Sequence, residues 1–140
     1  MDNKEIKIII LDDEESIRDI LKRSLEKEGF TIMTSCDGNE AIELCIHERI
    51  QLVFSDILMP IMDGIVFLEK VKDTSPFTEV IMITGQSSLR KMAACMRKGA
   101  FAYIEKPFSA KDLLFLAKKA VEHSILRQEL MDKVLKGRRD

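Results

Sequence analysis

The sequence predicts an α/β protein in which a parallel sheet of five strands carries five helices on its two faces. Three observations carry that prediction. Short apolar, β-branched runs alternate strictly with longer segments of helical periodicity. The first run, Ile6 to Leu11, is nearly continuous in apolar residues, as suits a strand covered on both faces. Parallel neighbours need helical crossovers, and the alternation supplies one between each pair of strands.

Taken in order, strand one (6–11) is followed by the acidic cluster Asp12-Asp13-Glu14-Glu15. Ile17, Ile20, Leu21, Ser24 and Leu25 then recur at helical spacing, and Gly29 stands where a left-handed cap ends a helix over 15–28. Thr31 to Ser35 reads as strand two. Asp37 and Glu40 have capping-box spacing ahead of Ala41, Ile42, Leu44, Cys45 and Ile46, which opens helix two. Leu52 to Ser55 is strand three. Asp63-Gly64 introduces a third helix carrying Ile65, Phe67, Leu68 and Val71, and Ser75-Pro76 breaks it. Val80 to Thr84 is strand four, Leu89 to Lys98 a fourth helix closed by Gly99, and Phe101 to Ile104 strand five. After Lys106-Pro107-Phe108, Ser109 and Asp112 open a fifth helix whose apolar pattern runs past Val121.

A chain of 140 residues fits one domain with a single core. Its 46% hydrophobic and 33% charged content, with only 6 Gly and 3 Pro, excludes the composition of a disordered segment. A formal net charge of −2 gives no electrostatic case for binding nucleic acid or an anionic membrane surface. Ile8 to Leu11 and Leu113 to Ala117 are far shorter than the roughly 20 apolar residues of a membrane span. The opening MDNKEIK lacks the features of a signal peptide, so the expected location is cytoplasmic. Cys36, Cys45 and Cys95 are odd in number and lack C-x-x-C spacing, which argues against disulfides or zinc and for buried small hydrophobes. His47 and His123 stand alone and receive no function.

In a sheet of this class, sites form beyond the carboxyl ends of the strands. Asp12 and Asp13 follow strand one, Asp56 follows strand three, Thr84 ends strand four and Lys106 follows strand five, so all five fall on one edge. Converging carboxylates raise one another's pKa unless a cation sits among them, and oxygen-only ligands suit Mg²⁺. Lys106 and Thr84 offer an ammonium and a hydroxyl to phosphoryl oxygens, and Asp56, between the apolar flanks Val53-Phe54 and Ile57-Leu58, is the candidate carboxylate nucleophile. Each residue alone has a structural reading: Asp13 as a helix N-cap, Thr84 as a strand end, Lys106 as a solvated lysine. Together, in compatible chemistry on one edge, they point to phosphoryl transfer.

With those residues in place, the chain resembles the receiver domains of two-component response regulators. The resemblance rests on Asp12-Asp13, the stretch Asp56-x-x-Met59-Pro60-x-Met62-Asp63-Gly64, Thr84-Gly85 and Lys106-Pro107-Phe108, and covers residues 6 to about 122. It implies a flavodoxin-like three-layer sandwich with strand order 2-1-3-4-5. It also implies a receiver over 1–122 and a C-terminal helical extension or linker over 123–140. Asp56 would accept a phosphoryl group from a phosphohistidine of a sensor histidine kinase or a histidine phosphotransfer protein. Asp12, Asp13, Asp56 and the main-chain carbonyl of Leu58 would hold Mg²⁺, and Thr84 and Lys106 would contact the phosphoryl group.

The same resemblance makes Thr84 and Tyr103 a switch acting on the surface of helix four, strand five and helix five, and predicts a cis Lys106–Pro107 bond. The alternative for Tyr103 is a half-buried strand tyrosine with a wet hydroxyl. Leu58 and Gln86, each two residues past a key group, would tune hydrolysis. Such a protein is a signalling domain rather than a turnover enzyme, catalysing only its own phosphorylation and slow dephosphorylation. The extended fifth helix carries Ile125, Leu126, Leu130, Met131, Val134 and Leu135, a stripe that suits either a helix packed on its own domain or a homodimerising linker. No output domain follows it, so a stand-alone receiver and a piece of a longer regulator are both open. Two other classes compete: an aspartate-nucleophile, Mg²⁺-dependent phosphohydrolase, which would need D-x-D spacing after strand one, and a receiver-like scaffold that is never phosphorylated.

Overall fold

The strands are β1 (Lys7–Leu11), β2 (Thr31–Ser35), β3 (Leu52–Asp56), β4 (Glu79–Thr84) and β5 (Ala102–Glu105) in the computed structural model, which describes residues 5–85 and 88–139. All pairings are parallel, in the order β2-β1-β3-β4-β5. Helices α1 (Glu15–Glu26), α2 (Gly38–His47), α3 (Gly64–Thr74), α4 (Leu89–Arg97) and α5 (Ala110–Arg139) fill the connections. The expected fold class and strand order are therefore those observed.

Alternate residues of each strand point to opposite faces, so an apolar run on a central strand feeds two cores at once. On one face Ile8, Ile10, Phe54, Ile81 and Ile83 pack with Leu21 and Leu25 of α1 and with Leu113, Ala117 and Ala120 of α5. On the other, Ile9, Leu11, Val53, Val80 and Met82 pack with Ala41 and Cys45 of α2, Phe67, Leu68 and Val71 of α3, and Cys95 of α4. The central strands β3 and β4 are buried along their whole length.

Helix starts follow local side-chain chemistry. Asp37 accepts from the Asn39 amide, Asp63 from Ile65, Ser88 from Lys91 and Ser109 from Asp112, each bond satisfying an amide that the helix leaves open. Two expectations need correction. The N-cap of α1 is Glu14, without a side-chain cap bond, so the structural alternative for Asp13 does not hold. Cys36 is exposed, because β2 is an edge strand and the residue after it leaves the sheet at the surface; Cys45 and Cys95 are buried as expected. Gly29 and Gly99 take φ values of 88° and 99°, the left-handed conformation that closes α1 and α4. The Lys106–Pro107 bond is cis.

The last helix is tied to the sheet beyond residue 122. Ser124 is buried and its hydroxyl donates to the Phe77 carbonyl at 2.6 Å. Arg127 donates to the buried Glu79 carboxylate at 2.5 Å and lies over the Phe77 ring, 5.3 Å from its centroid. His123 Nδ1 and Lys72 Nζ lie 3.4 Å and 3.9 Å from the same Glu79 oxygen. Past this cluster Leu130, Met131, Val134 and Leu135 are exposed. No helix among the described residues is long and apolar enough to cross a membrane.

Candidate functional site

The carboxyl ends of β1 and β3 are neighbours in register, Leu11 opposite Ser55, so the residues that follow each strand emerge side by side. Asp12 and Asp56 are only 1% and 6% exposed, and Thr84, at the end of β4, is 1% exposed. Lys106 reaches into this group from the loop after β5, its backbone amide donating to the Thr84 carbonyl at 2.8 Å. Its ammonium lies 3.1 Å from Asp56 Oδ2, 3.3 Å from Asp12 Oδ2 and 3.9 Å from Glu14 Oε1. The other oxygen of Asp56 accepts from the Leu58 amide at 3.1 Å, and the other oxygen of Asp12 accepts from the Glu14 amide at 2.9 Å.

One carboxyl oxygen each from Asp12, Asp13, Glu14 and Asp56 lies within 4.8 Å of all the others. Burial raises the pKa of Asp12, the Glu14 amide and Lys106 oppose that rise, and the charge of Asp56 adds to it. For Lys106 burial acts downward, but the hydrogen bond to Asp56 and the charges of Asp12 and Asp56 outweigh it and raise the ammonium's pKa. One ammonium thus pairs with three of the four carboxylates. The remaining negative charge and the all-oxygen donor set fit a hard divalent cation.

Tyr103 pairs with Met82 in the β4–β5 register and packs against the core that contains Cys95. Its hydroxyl is buried with no hydrogen-bond partner among the described residues, not wet. Leu58 is 44% exposed beside the Asp56 carboxylate. Gln86, paired with Leu58 in the sequence reading, lies outside the described residues.

A family model described as the response regulator receiver domain matches residues 8–118. The chain belongs to the response regulator receiver family. It is 34% identical over 128 residues to the DNA-binding transcriptional regulator NtrC of Escherichia coli (strain K12), a match that takes in 91% of the chain and 27% of that regulator's length. The receiver therefore spans about a quarter of the length of the curated relatives it matches. Among solved structures, a CheY-like receiver domain protein of Methanospirillum hungatei JF-1 superposes with TM-score 0.82 at 33% identity, over 87% of this chain and 98% of that one. The beryllofluoride-activated NtrC4 receiver domain dimer gives TM-score 0.81 at 35% identity, over 84% and 98% of the two chains. Receivers are signalling domains that are phosphorylated by sensor kinases and bind Mg²⁺ at an acidic pocket, and the donor set at this receiver's sheet edge is of that kind.

The structure brings all of Asp12, Asp13, Asp56, Thr84 and Lys106 to this receiver's sheet edge and adds three residues that sequence reasoning missed. Glu14 joins the carboxylate group; its place in the acidic run was the available signal. Arg18 reaches back from α1 and donates to the Asp12 main-chain carbonyl at 2.7 Å. Gly64 permits the start of α3 to touch the loop after β3: a Cβ there would lie 2.3 Å from the Asp56 carbonyl oxygen and 2.7 Å from the Ile57 Cα. Its amide donates to the Ile57 carbonyl at 2.8 Å, so glycine is demanded by close approach rather than by a left-handed turn.

Proposed function

We propose that this receiver takes a phosphoryl group onto Asp56 from a phosphohistidine on a sensor histidine kinase or a histidine phosphotransfer protein. The carrying observation is the Asp56 carboxylate itself: 6% exposed, one oxygen on Lys106, the other on the Leu58 amide, within a group of four carboxylates. Those two bonds hold the carboxylate in a fixed orientation before the donor arrives. An Asp56 oxygen attacks phosphorus as the phosphorus–nitrogen bond of the donor breaks. The electron pair leaves on the imidazole, and an acyl phosphate remains on Asp56.

Lys106 and the Thr84 hydroxyl take phosphoryl oxygens, their charge and hydrogen bonds stabilising what the transfer brings into the pocket. Asp12, Asp13, Asp56 and the Leu58 main-chain carbonyl are the residues that would hold Mg²⁺, with Glu14 close by. When bound, Mg²⁺ supplies neutralising charge to the carboxylates and the phosphoryl oxygens. Thr84 moving toward the phosphoryl group, with Tyr103 following behind it, would alter the surface of α4, β5 and α5. The exposed Leu89 and Phe115 supply apolar area there for a partner. The exposed stripe Leu126, Leu130, Val134 and Leu135 on α5 supports a homodimer through the extended helix.

Incubating the protein with Mg²⁺ and acetyl phosphate tests the reading by intact mass spectrometry. One phosphoryl adduct, lost in Asp56→Asn, is expected. No adduct where a known receiver is labelled would favour a scaffold, and repeated release of phosphate from small esters would favour a phosphohydrolase.

A further inference from the structure

The segment Asp12 to Glu14 carries three of the four clustered carboxylates, so its backbone sets where they converge. Besides the helical bond that the Arg18 amide donates to the Glu14 carbonyl, three hydrogen bonds hold that backbone among the described residues. The Asp12 amide donates to the Ser35 carbonyl on β2 at 3.2 Å, the Glu14 amide donates to Asp12 Oδ1 at 2.9 Å, and Arg18 Nη1 donates to the Asp12 carbonyl at 2.7 Å. Only the last comes from a side chain outside the segment. Arg18 itself is fixed one turn into α1, where its amide donates to the Glu14 carbonyl at 3.1 Å. The segment and the guanidinium thus clasp each other.

What the guanidinium bonds matters as much as where it sits. An arginine next to four carboxylates would be expected to pair with one of them, yet among the described residues no carboxylate lies within ion-pair distance of Arg18. Lys106 is the cation that does pair with them, and in doing so it competes with any metal. Arg18 instead spends its hydrogen bond on a neutral carbonyl. It restrains the carboxylates without neutralising them.

We infer that Arg18 is a positioning residue for the divalent cation, holding the Asp12–Glu14 backbone so that its carboxylates stay converged. This inference rests on the Mg²⁺ reading of the acidic group and assigns Arg18 no contact with phosphate or metal. It makes a prediction whose sign is opposite to that of simple electrostatics. A cation near a metal site repels the metal, so removing a cation that acts only by charge would tighten Mg²⁺ binding. Removing a restraint on the ligands loosens it, and outer partners of metal ligands are typically worth on the order of tenfold or more in affinity.

Titrating MgCl₂ into the wild type, Arg18→Met and Arg18→Lys by calorimetry separates the cases, with the thermal midpoint of each metal-free protein measured alongside. Arg18→Met keeps the aliphatic stem and loses the donor, whereas Arg18→Lys keeps a donor and the charge. The expected result is Mg²⁺ affinity weakened by roughly tenfold in Arg18→Met and largely restored in Arg18→Lys, with little change in the metal-free midpoints. Unchanged or tighter binding by Arg18→Met, with normal binding by the wild type, would overturn the inference alone. No Mg²⁺ binding by the wild type would overturn the reading of the site and this inference with it. Weaker binding that tracks a fall in the metal-free midpoint, without recovery in Arg18→Lys, would assign Arg18 to general stability and also overturn it.

Discussion

A charge cluster sits at each end of β4. At the amino end, Glu79 is 3% exposed and faces Arg127, His123 and Lys72. At the carboxyl edge, four carboxylates cluster and three of them, Asp12, Glu14 and Asp56, share the ammonium of Lys106. The surplus positive charge around Glu79 is accommodated: Arg127 is partly exposed, and Lys72 donates to the Pro76 and Thr78 carbonyls. The surplus negative charge at the other end includes the buried Asp12 and Asp56 and has no such outlet. The difference teaches how to tell a strut from a site. A buried charge whose partners are all protein groups holds elements together, whereas one left short of counter-charge is arranged for something that arrives later.

The largest effect is expected where the strut is broken. Glu79→Gln leaves Arg127, His123 and Lys72 without their common carboxylate, and breaking a buried ion pair in this way costs about 3 kcal/mol. Urea unfolding should show that loss while the phosphoryl adduct on Asp56 forms as before. Loss of the adduct in a folded Glu79→Gln protein would mean that the two ends of β4 are not separable.

Gly64→Ala breaks the other end by geometry. A Cβ 2.3 Å from the Asp56 carbonyl oxygen forces the loop after β3 away from α3, at a cost of about 1–3 kcal/mol for overpacking. Because the displaced atoms are Asp56 and Ile57 themselves, acetyl phosphate labelling should fall together with stability. A labelling rate equal to that of the wild type would show that the loop absorbs the methyl group without moving the carboxylate.

Asp12→Asn should have the opposite sign on stability. The folded-state pKa of Asp12 is raised, so the native protein binds that proton more tightly than the unfolded chain does. Stability from this group is therefore present at low pH and is lost as pH rises from its ordinary value through the raised one. At neutral pH the metal-free protein carries the cost of ionised Asp12, and the neutral amide should relieve it, a gain of about 0.5–2 kcal/mol of the kind seen when site residues are replaced. The gain should shrink toward acid pH, and Mg²⁺ should no longer add to the thermal midpoint. A variant less stable than the wild type at every pH would mean that the bond to Lys106 outweighs burial and repulsion.

These contrasts also show what the sequence could reveal. The alternation of runs was enough for the fold class, because parallel strands buried on both faces leave an apolar signature at Ile8–Leu11 and 80–84, whereas the strand order came only with the resemblance. The shared location of the five candidate residues was legible because each follows or ends a strand, and a parallel sheet brings such positions to one edge. Gly64 was legible only as a turn residue, since its contact with Asp56 depends on how closely α3 docks. The Glu79 cluster was invisible, because its bond to Arg127 spans 48 residues and follows from the register of α5 on β4. Cys36 looked like a core residue because an edge strand is not marked as such in the sequence.

The smallest expected effect on stability, and the sharpest on function, belongs to Leu58→Asn. Leu58 is 44% exposed, so exchanging its side chain should change stability by no more than about 0.5 kcal/mol in either direction. Its amide already holds Asp56 Oδ1, and that backbone bond survives the substitution. What changes is the chemistry beside the acyl phosphate we propose on Asp56. A water attacking phosphorus must be held in line, and an apolar side chain offers it no hydrogen bond, whereas an asparagine amide does. One such bond is worth about 0.5–1.5 kcal/mol, which corresponds to roughly two- to tenfold in rate. The phosphoryl group on the wild type should therefore outlast that on Leu58→Asn by this factor, read by mass spectrometry after the donor is removed. Equal decay in the two proteins would place the attacking water out of reach of residue 58 and return control of the lifetime to the groups that pair with Asp56.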